Sequence, residues 1–188
     1  MLDLRLLVLD VDGVLTDGRL GWGYFGSQHL EPMRFFHVHD GIAIQWFRRH
    51  LGEVALLTAK ESHAVRLRAD ELGLKHVIQG SRDKLADLNR LREPLGVSLE
   101  QVAMMGDDFP DLCVLQNVGY PLAPSNAANE VRTTARFVTE RPGGHGAVRE
   151  AIEHLLRETG KWSLVQQQYG LTDNQLDRQA VAGDGSRS

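Results

Sequence analysis

One stretch constrains this chain more than any other: Leu4-Arg5-Leu6-Leu7-Val8-Leu9-Asp10-Val11-Asp12-Gly13-Val14-Leu15-Thr16-Asp17. Its first half is an almost unbroken apolar run, the pattern of a strand buried on both faces of a parallel sheet. The run ends on two aspartates one residue apart, followed by a glycine. In open α/β sheets ligands gather just beyond the carboxyl ends of the strands, so Asp10 and Asp12 are expected at such an edge. Two carboxylates held this close repel one another, and a divalent cation is the natural counter-charge. Taken alone, an aspartate-rich turn after a strand explains the pattern as well.

The rest of the chain repeats the alternation. Further strands are expected at Glu53–Leu57, His76–Ile78, Val102–Met105, Val118–Leu122 and Arg136–Val138. Helices fall between them, the clearest after Gly146, where Val148, Ala151, Ile152, Leu155 and Leu156 form an apolar stripe at helical spacing. Strands alternating with helices specify a doubly wound, Rossmann-like parallel sheet. The segment from Thr16 to Val38 breaks the alternation. Its glycines and aromatics suit a β-hairpin flap, with Arg19–Trp22 and Met33–Phe36 as its strands. A helix is expected from Asp40-Gly41 to about Leu51. Beyond Trp162 the composition turns polar, so residues 1–162 are expected as one domain and 163–188 as a tail.

Composition narrows the function. The formal charge is −4 with 24% charged residues and no Lys/Arg block, which argues against a nucleic-acid partner. No apolar segment approaches membrane-spanning length, and Asp3 and Asp10 interrupt the N-terminal region too early for a signal peptide. The single cysteine, Cys113, fits a reducing compartment and reads as a small core residue. A cytoplasmic protein is expected.

A parallel sheet brings the carboxyl ends of its strands to one edge. There it would gather Asp10 and Asp12, Thr58 and Lys60, Lys84, and Asp107, Asp108 and Asp111. Carboxylates from two strands suit Mg²⁺, a hydroxyl and an ammonium suit phosphate oxygens, and a carboxylate can attack phosphorus. Thr58 could instead cap the following helix, and Asp108 and Asp111 could cap theirs.

With these residues in order, the chain resembles the haloacid-dehalogenase superfamily: Asp10-Val11-Asp12-Gly13-Val14, Thr58, Lys84 and Gly106-Asp107-Asp108-x-x-Asp111 match its four motifs over about residues 4–160. The resemblance implies a Mg²⁺-dependent phosphomonoesterase. Asp10 would be the nucleophile and Asp12 the acid and base. Mg²⁺ would lie on Asp10, the Asp12 main-chain carbonyl and Asp107, with Thr58 and Lys84 on the phosphate and Asp108 and Asp111 in support. The hairpin is too short for a cap domain, and no room for one exists between Ile78 and Lys84. A capless site needs another subunit to exclude water.

Within the superfamily, Val38-His39-Asp40-Gly41 and Gly143-Gly144-His145-Gly146-Ala147-Val148-Arg149-Glu150 are similar to the capless phosphatases of 3-deoxy-D-manno-octulosonate 8-phosphate, homotetramers of lipopolysaccharide synthesis. That branch implies a small phosphorylated sugar acid as partner and a homo-oligomer, with one subunit's flap or tail over its neighbour's Asp10. The chain carries Lys60, His37, His39 and His145 where the branch commonly has Arg or Asn, and these four are the expected substrate contacts. Arginine is not interchangeable with lysine or histidine at a carboxylate, so the departures bear on the substrate. Phosphatases of nonulosonate 9-phosphates or other sugar phosphates share the frame. So does a rival of another class, a non-catalytic oligomerisation module of a sugar-nucleotide synthetase.

Overall fold

A computed structural model describes residues 2–25 and 29–171 of the chain. Its main sheet starts with β1 (Leu6–Leu9), which passes through a wide turn at Val11–Leu15 into the hairpin β2 (Gly21–Phe25) and β3 (His29–Met33). There follow α1 (Val38–His50), β4 (Glu53–Leu57), α2 (His63–Glu71), β5 (His76–Ile78) and α3 (Lys84–Arg92). The second half adds β6 (Val102–Met105), α4 (Leu112–Leu115), β7 (Tyr120–Ala123), α5 (Asn129–Thr134), β8 (Phe137–Val138), α6 (Ala147–Glu158) and α7 (Trp162–Gln168). The sheet is six-stranded and parallel in the order β5-β4-β1-β6-β7-β8.

β1 lies between β4 and β6 and is buried on both faces, as its apolar run requires. Leu7 and Leu9 pack with α1, α2 and α6 on one face, through Ile44, Phe47, Val65, Ile152 and Leu155. Leu6 and Val8 pack with Leu88 of α3, Val114 and Leu115 of α4 and Val131 of α5 on the other. The period-2 alternation of β1 thus feeds two cores, one per layer of helices. All five residues of the α6 stripe are buried.

The hairpin forms, but its strands start and end further toward its tip than the sequence pattern placed them. Arg19 and Leu20 precede β2, and Arg34 to Phe36 follow β3. The two strands pair only with one another, and Trp22, Leu30 and Phe35 are exposed. Cys113 sits in α4, yet on its solvent side rather than in the core. The polar segment after Trp162 opens with α7, whose Val165 is buried; Tyr169 just beyond it accepts a hydrogen bond from Trp46 Nε1 at 3.1 Å. Residues 172–188 lie outside the described residues. Among the described residues, no helix is long and apolar enough to cross a membrane.

Candidate active site

The registers Leu9↔Leu56 and Leu9↔Met105 align the ends of β1, β4 and β6, so the residues after them meet. Asp10 follows β1, and its backbone N–H donates to Met105 O at 3.0 Å. Gly106 and Asp107 follow β6, Thr58 follows β4, and Lys84 opens α3 after β5. Gly13 adopts φ +94°, and a Cβ there would lie 2.0 Å from Asp107 Oδ2, so only glycine permits this approach of the two loops.

Lys84 organises the deepest part. Its buried ammonium donates to Asp10 Oδ1 at 2.7 Å and to Asp111 Oδ1 at 2.6 Å. Asp111 is almost fully buried, and its Oδ2 accepts the backbone N–H groups of Asp107 and Asp108 at 3.0 and 3.4 Å. Asp111 thus holds both the lysine and the loop that carries Asp107. Asp108 is exposed and caps the short turn Phe109–Asp111 through the Phe109 N–H. Thr58 does not cap α2, whose N-cap is Ser62; its hydroxyl accepts the Lys60 N–H at 3.4 Å and lies at the edge of the cleft.

The electrostatics call for a cation. Carboxylate oxygens of Asp10, Asp107 and Asp111 lie within 4.8 Å of one another. Burial pushes the Asp10 carboxyl up, with Lys84 pulling against it. Burial and then Asp10, Asp111 and Asp108 push Asp107 up to about 7. For Lys84, burial works against the charge, but Asp10 and Asp111 outweigh it and raise the pKa. An all-oxygen set with a surplus of negative charge fits Mg²⁺, which takes one or two carboxylates and completes its shell with water and phosphate.

Asp12 is held differently. Its carboxylate receives a two-pronged contact from Arg34, Nε to Oδ1 at 2.7 Å and Nη2 to Oδ2 at 3.1 Å. Lys60 Nζ stands 3.8 Å from Oδ2. Sequence reasoning missed Arg34, because in the stretch Met33-Arg34-Phe35-Phe36 it read as one polar position of a hairpin strand. The available signal was an arginine among apolar residues at the end of an otherwise aromatic flap.

Eight of the expected residues therefore line one cleft of about 170 Å³: Asp10, Asp12, Thr58, Lys60, Lys84, Asp107, Asp108 and Asp111. The three histidines do not. His37 caps α1, with Nδ1 accepting the His39 N–H, and His39 lines a separate hollow beside α6. His145 stands near Asp17, in the glycine-rich run. That run backs the turn after Asp12: a Cβ on Gly143 would lie 1.7 Å from Gly13 O, and the Gly144 N–H donates to Val14 O at 3.0 Å. Asp40, from the Val38–Gly41 element, is buried and accepts the Arg149 N–H at 2.8 Å, capping the first turn of α6 from a distance.

The chain belongs to the haloacid dehalogenase-like hydrolases, a family it matches over residues 55–152. Within that superfamily it is a phosphatase of the capless branch. It is 39% identical over 159 residues to the 3-deoxy-D-manno-octulosonate 8-phosphate phosphatase KdsC of Escherichia coli (strain K12), covering 85% of this chain and 82% of that one. The phosphatase of that name from Moraxella catarrhalis, solved with magnesium ion, phosphate ion and KDO, superposes with a TM-score of 0.83. It is 33% identical, over 89% of this chain and 94% of that one. The cobalt-bound deoxy-D-mannose-octulosonate 8-phosphate phosphatase of Haemophilus influenzae gives a TM-score of 0.79 at 33% identity, over 86% and 92% of the two chains.

Proposed function

We propose that this phosphatase hydrolyses 3-deoxy-D-manno-octulosonate 8-phosphate, with Mg²⁺ as cofactor, through an aspartyl-phosphate on Asp10. The observation that carries the reading is the convergence of Asp10, Asp107 and Lys84 in one narrow cleft, backed by Asp111. Asp10 attacks phosphorus in line, and Lys84, braced by Asp111, steadies the nucleophile and the phosphate oxygens. Thr58 and the backbone beside it receive the remaining oxygens. Asp12 gives a proton to the departing alkoxide and then takes one from the attacking water. Asp10, the Asp12 main-chain carbonyl and Asp107 would hold Mg²⁺, which would supply positive charge to offset that of the carboxylates and the phosphate. Asp108 fixes the loop that presents Asp107.

The size of the cleft bears on substrate and assembly together. At about 170 Å³ it is smaller than a drug-sized ligand pocket, on the order of 300–1,000 Å³. It accommodates the phosphate and leaves the sugar acid outside. Among the described residues, none of β2 or β3 lines it. Exposed Trp22 and Leu30 on that hairpin suit an interface. These features support the reading of a homotetramer in which a neighbour's hairpin or tail completes the sugar site, with Lys60 as this subunit's contact to the sugar acid and the histidines available across the interface. Cys113 as the single cysteine and the sugar-acid substrate fit a cytoplasmic enzyme of lipopolysaccharide synthesis.

The test is a panel of sugar phosphates with Mg²⁺, read as kcat/KM, beside light scattering of the full chain. The octulosonate 8-phosphate should lead the panel and the mass should be that of four chains. Preference for a nonulosonate 9-phosphate would move the substrate to the related branch. No turnover of any ester would support the scaffold reading.

A further inference from the structure

The side chain of Arg34 is 2% exposed, which for a guanidinium is sustainable only with its donors paired. Two prongs go to the two oxygens of Asp12, at 2.7 and 3.1 Å, and Nη1 donates to Ser62 Oγ at 2.8 Å. Ser62 is itself fixed, since its backbone N–H donates to Gln79 Oε1 at 2.7 Å and it stands at the N-cap of α2. The guanidinium is therefore anchored at the root of the hairpin by the chain and on α2 by Ser62. Its remaining face is turned to Asp12.

We propose that Arg34 is the positioning residue of Asp12: its planar fork fixes the plane of the carboxyl group so that one oxygen faces the ester oxygen that leaves. The proposal rests on the acid and base role given to Asp12 above. In the first step a bond forms between Asp10 Oδ and phosphorus as the bond from phosphorus to the ester oxygen breaks, and the Asp12 proton passes to that oxygen. In the second, a water oxygen bonds phosphorus as the Asp10–phosphorus bond breaks, and the water's proton passes to Asp12. Both transfers need the carboxyl group in one orientation, and a small misplacement of a reacting group costs rate steeply. A lysine in place of Arg34 supplies charge without the fork. Because Arg34 leaves the strand β3 directly, it also ties the acid to the hairpin, the segment proposed to meet the neighbouring subunit.

Leaving groups separate this role from a structural one. Nitrophenolate departs without a proton, whereas a sugar alkoxide needs one. Arg34→Met, Arg34→Lys, Ser62→Ala and Asp12→Asn are assayed as the full chain with Mg²⁺ on nitrophenyl phosphate and on an alkyl sugar phosphate. Arg34→Met should lower kcat on the alkyl ester by about 10²-fold, the lower end of general acid catalysis, while the initial nitrophenolate burst keeps its rate within about threefold. Arg34→Lys and Ser62→Ala should show the same split, smaller. Equal losses on both esters in a folded Arg34→Met, or a rise in KM alone, would overturn the proposal. Should Arg34→Met not fold, the presence or absence of the split in Ser62→Ala decides. If Asp12→Asn shows no split, the acid role fails and Arg34 with it; if Asp12→Asn splits and the Arg34 variants do not, positioning alone fails.

Discussion

The two aspartates of the first motif stand two residues apart and belong to different parts of the molecule. Asp10 is held by Lys84 and sits among Asp107 and Asp111, all from loops that leave the sheet. Asp12 is held by Arg34, from the root of the hairpin, with Lys60 nearby. The proposed nucleophile thus sits in a half fixed by strand register, and the proposed acid in a half fixed by the one segment that interrupts the βα alternation. On the proposed roles, a change in the hairpin would reach Asp12 through Arg34 and leave the Lys84–Asp10 contact in place.

Removing the nucleophile should have the largest effect. Asp10→Asn keeps the shape of the side chain but cannot form the acyl phosphate, so kcat should fall by on the order of 10⁴-fold or more on every ester, good leaving group or poor. Circular dichroism should remain native, since β1 is fixed by its neighbours and by Leu7, Leu9 and Ile44 rather than by the carboxylate. A burst of nitrophenolate surviving in Asp10→Asn would remove the division between the two halves, because phosphorus would then be attacked by another group.

This division also marks where the sequence was legible. β1, β4 and β6 are apolar runs that give way to polar residues, Asp10, Thr58 and Gly106-Asp107, and local pattern suffices for those; the short, half-buried β5 is legible only from its place between two helices. Four motifs in order then made the family recognisable. The Arg34–Asp12 contact spans 22 residues through a hairpin whose register no periodicity fixes, so the local signal, an arginine among apolar residues, does not name its partner. His37, His39 and His145 are expected at the substrate because they stand where the resembled branch commonly has Arg or Asn. In the structure the motifs around them prove to have packing duties: Gly143 admits the Gly13 carbonyl, Asp40 caps α6, and His37 caps α1. Local pattern leaves Thr58 open between a cap and a ligand; in the structure Ser62, not Thr58, stands at the N-cap of α2.

Gly143→Ala sharpens the comparison from the side of Asp12. The new methyl would meet the Gly13 carbonyl at 1.7 Å, a backbone atom that moves only if the turn after Asp12 moves. Overpacking of this kind costs about 1–3 kcal/mol, measurable by urea unfolding. The shifted turn should impair alkyl esters more than nitrophenyl phosphate, since it displaces Asp12 while Lys84 still holds Asp10. A uniform loss would show that the glycine run supports both halves alike.

The smallest expected effect on turnover lies outside both halves, at Asp40. It is buried between α1 and α6, and burial pushes its carboxyl up to about 6, while the Arg149 and Gly146 N–H groups and the nearby Arg68 and His39 pull it down. A carboxyl raised in the folded state binds more protons folded than unfolded between the unfolded value of 3.8 and about 6. In that window its contribution to stability falls as pH rises, and above about 6 the cost of the buried charge is complete. The shift corresponds to at most on the order of 3 kcal/mol. Asp40→Asn keeps an oxygen for the Arg149 N–H and removes the charge, so its stability relative to wild type should be more favourable at pH 7 than at pH 4, with kcat on nitrophenyl phosphate and on alkyl esters changed equally and little. Urea midpoints at the two pH values measure the first part. A difference that does not narrow toward pH 4 would show that Asp40 is not charged at a cost. A selective loss on alkyl esters would place Asp40 in the acid's half rather than in the frame.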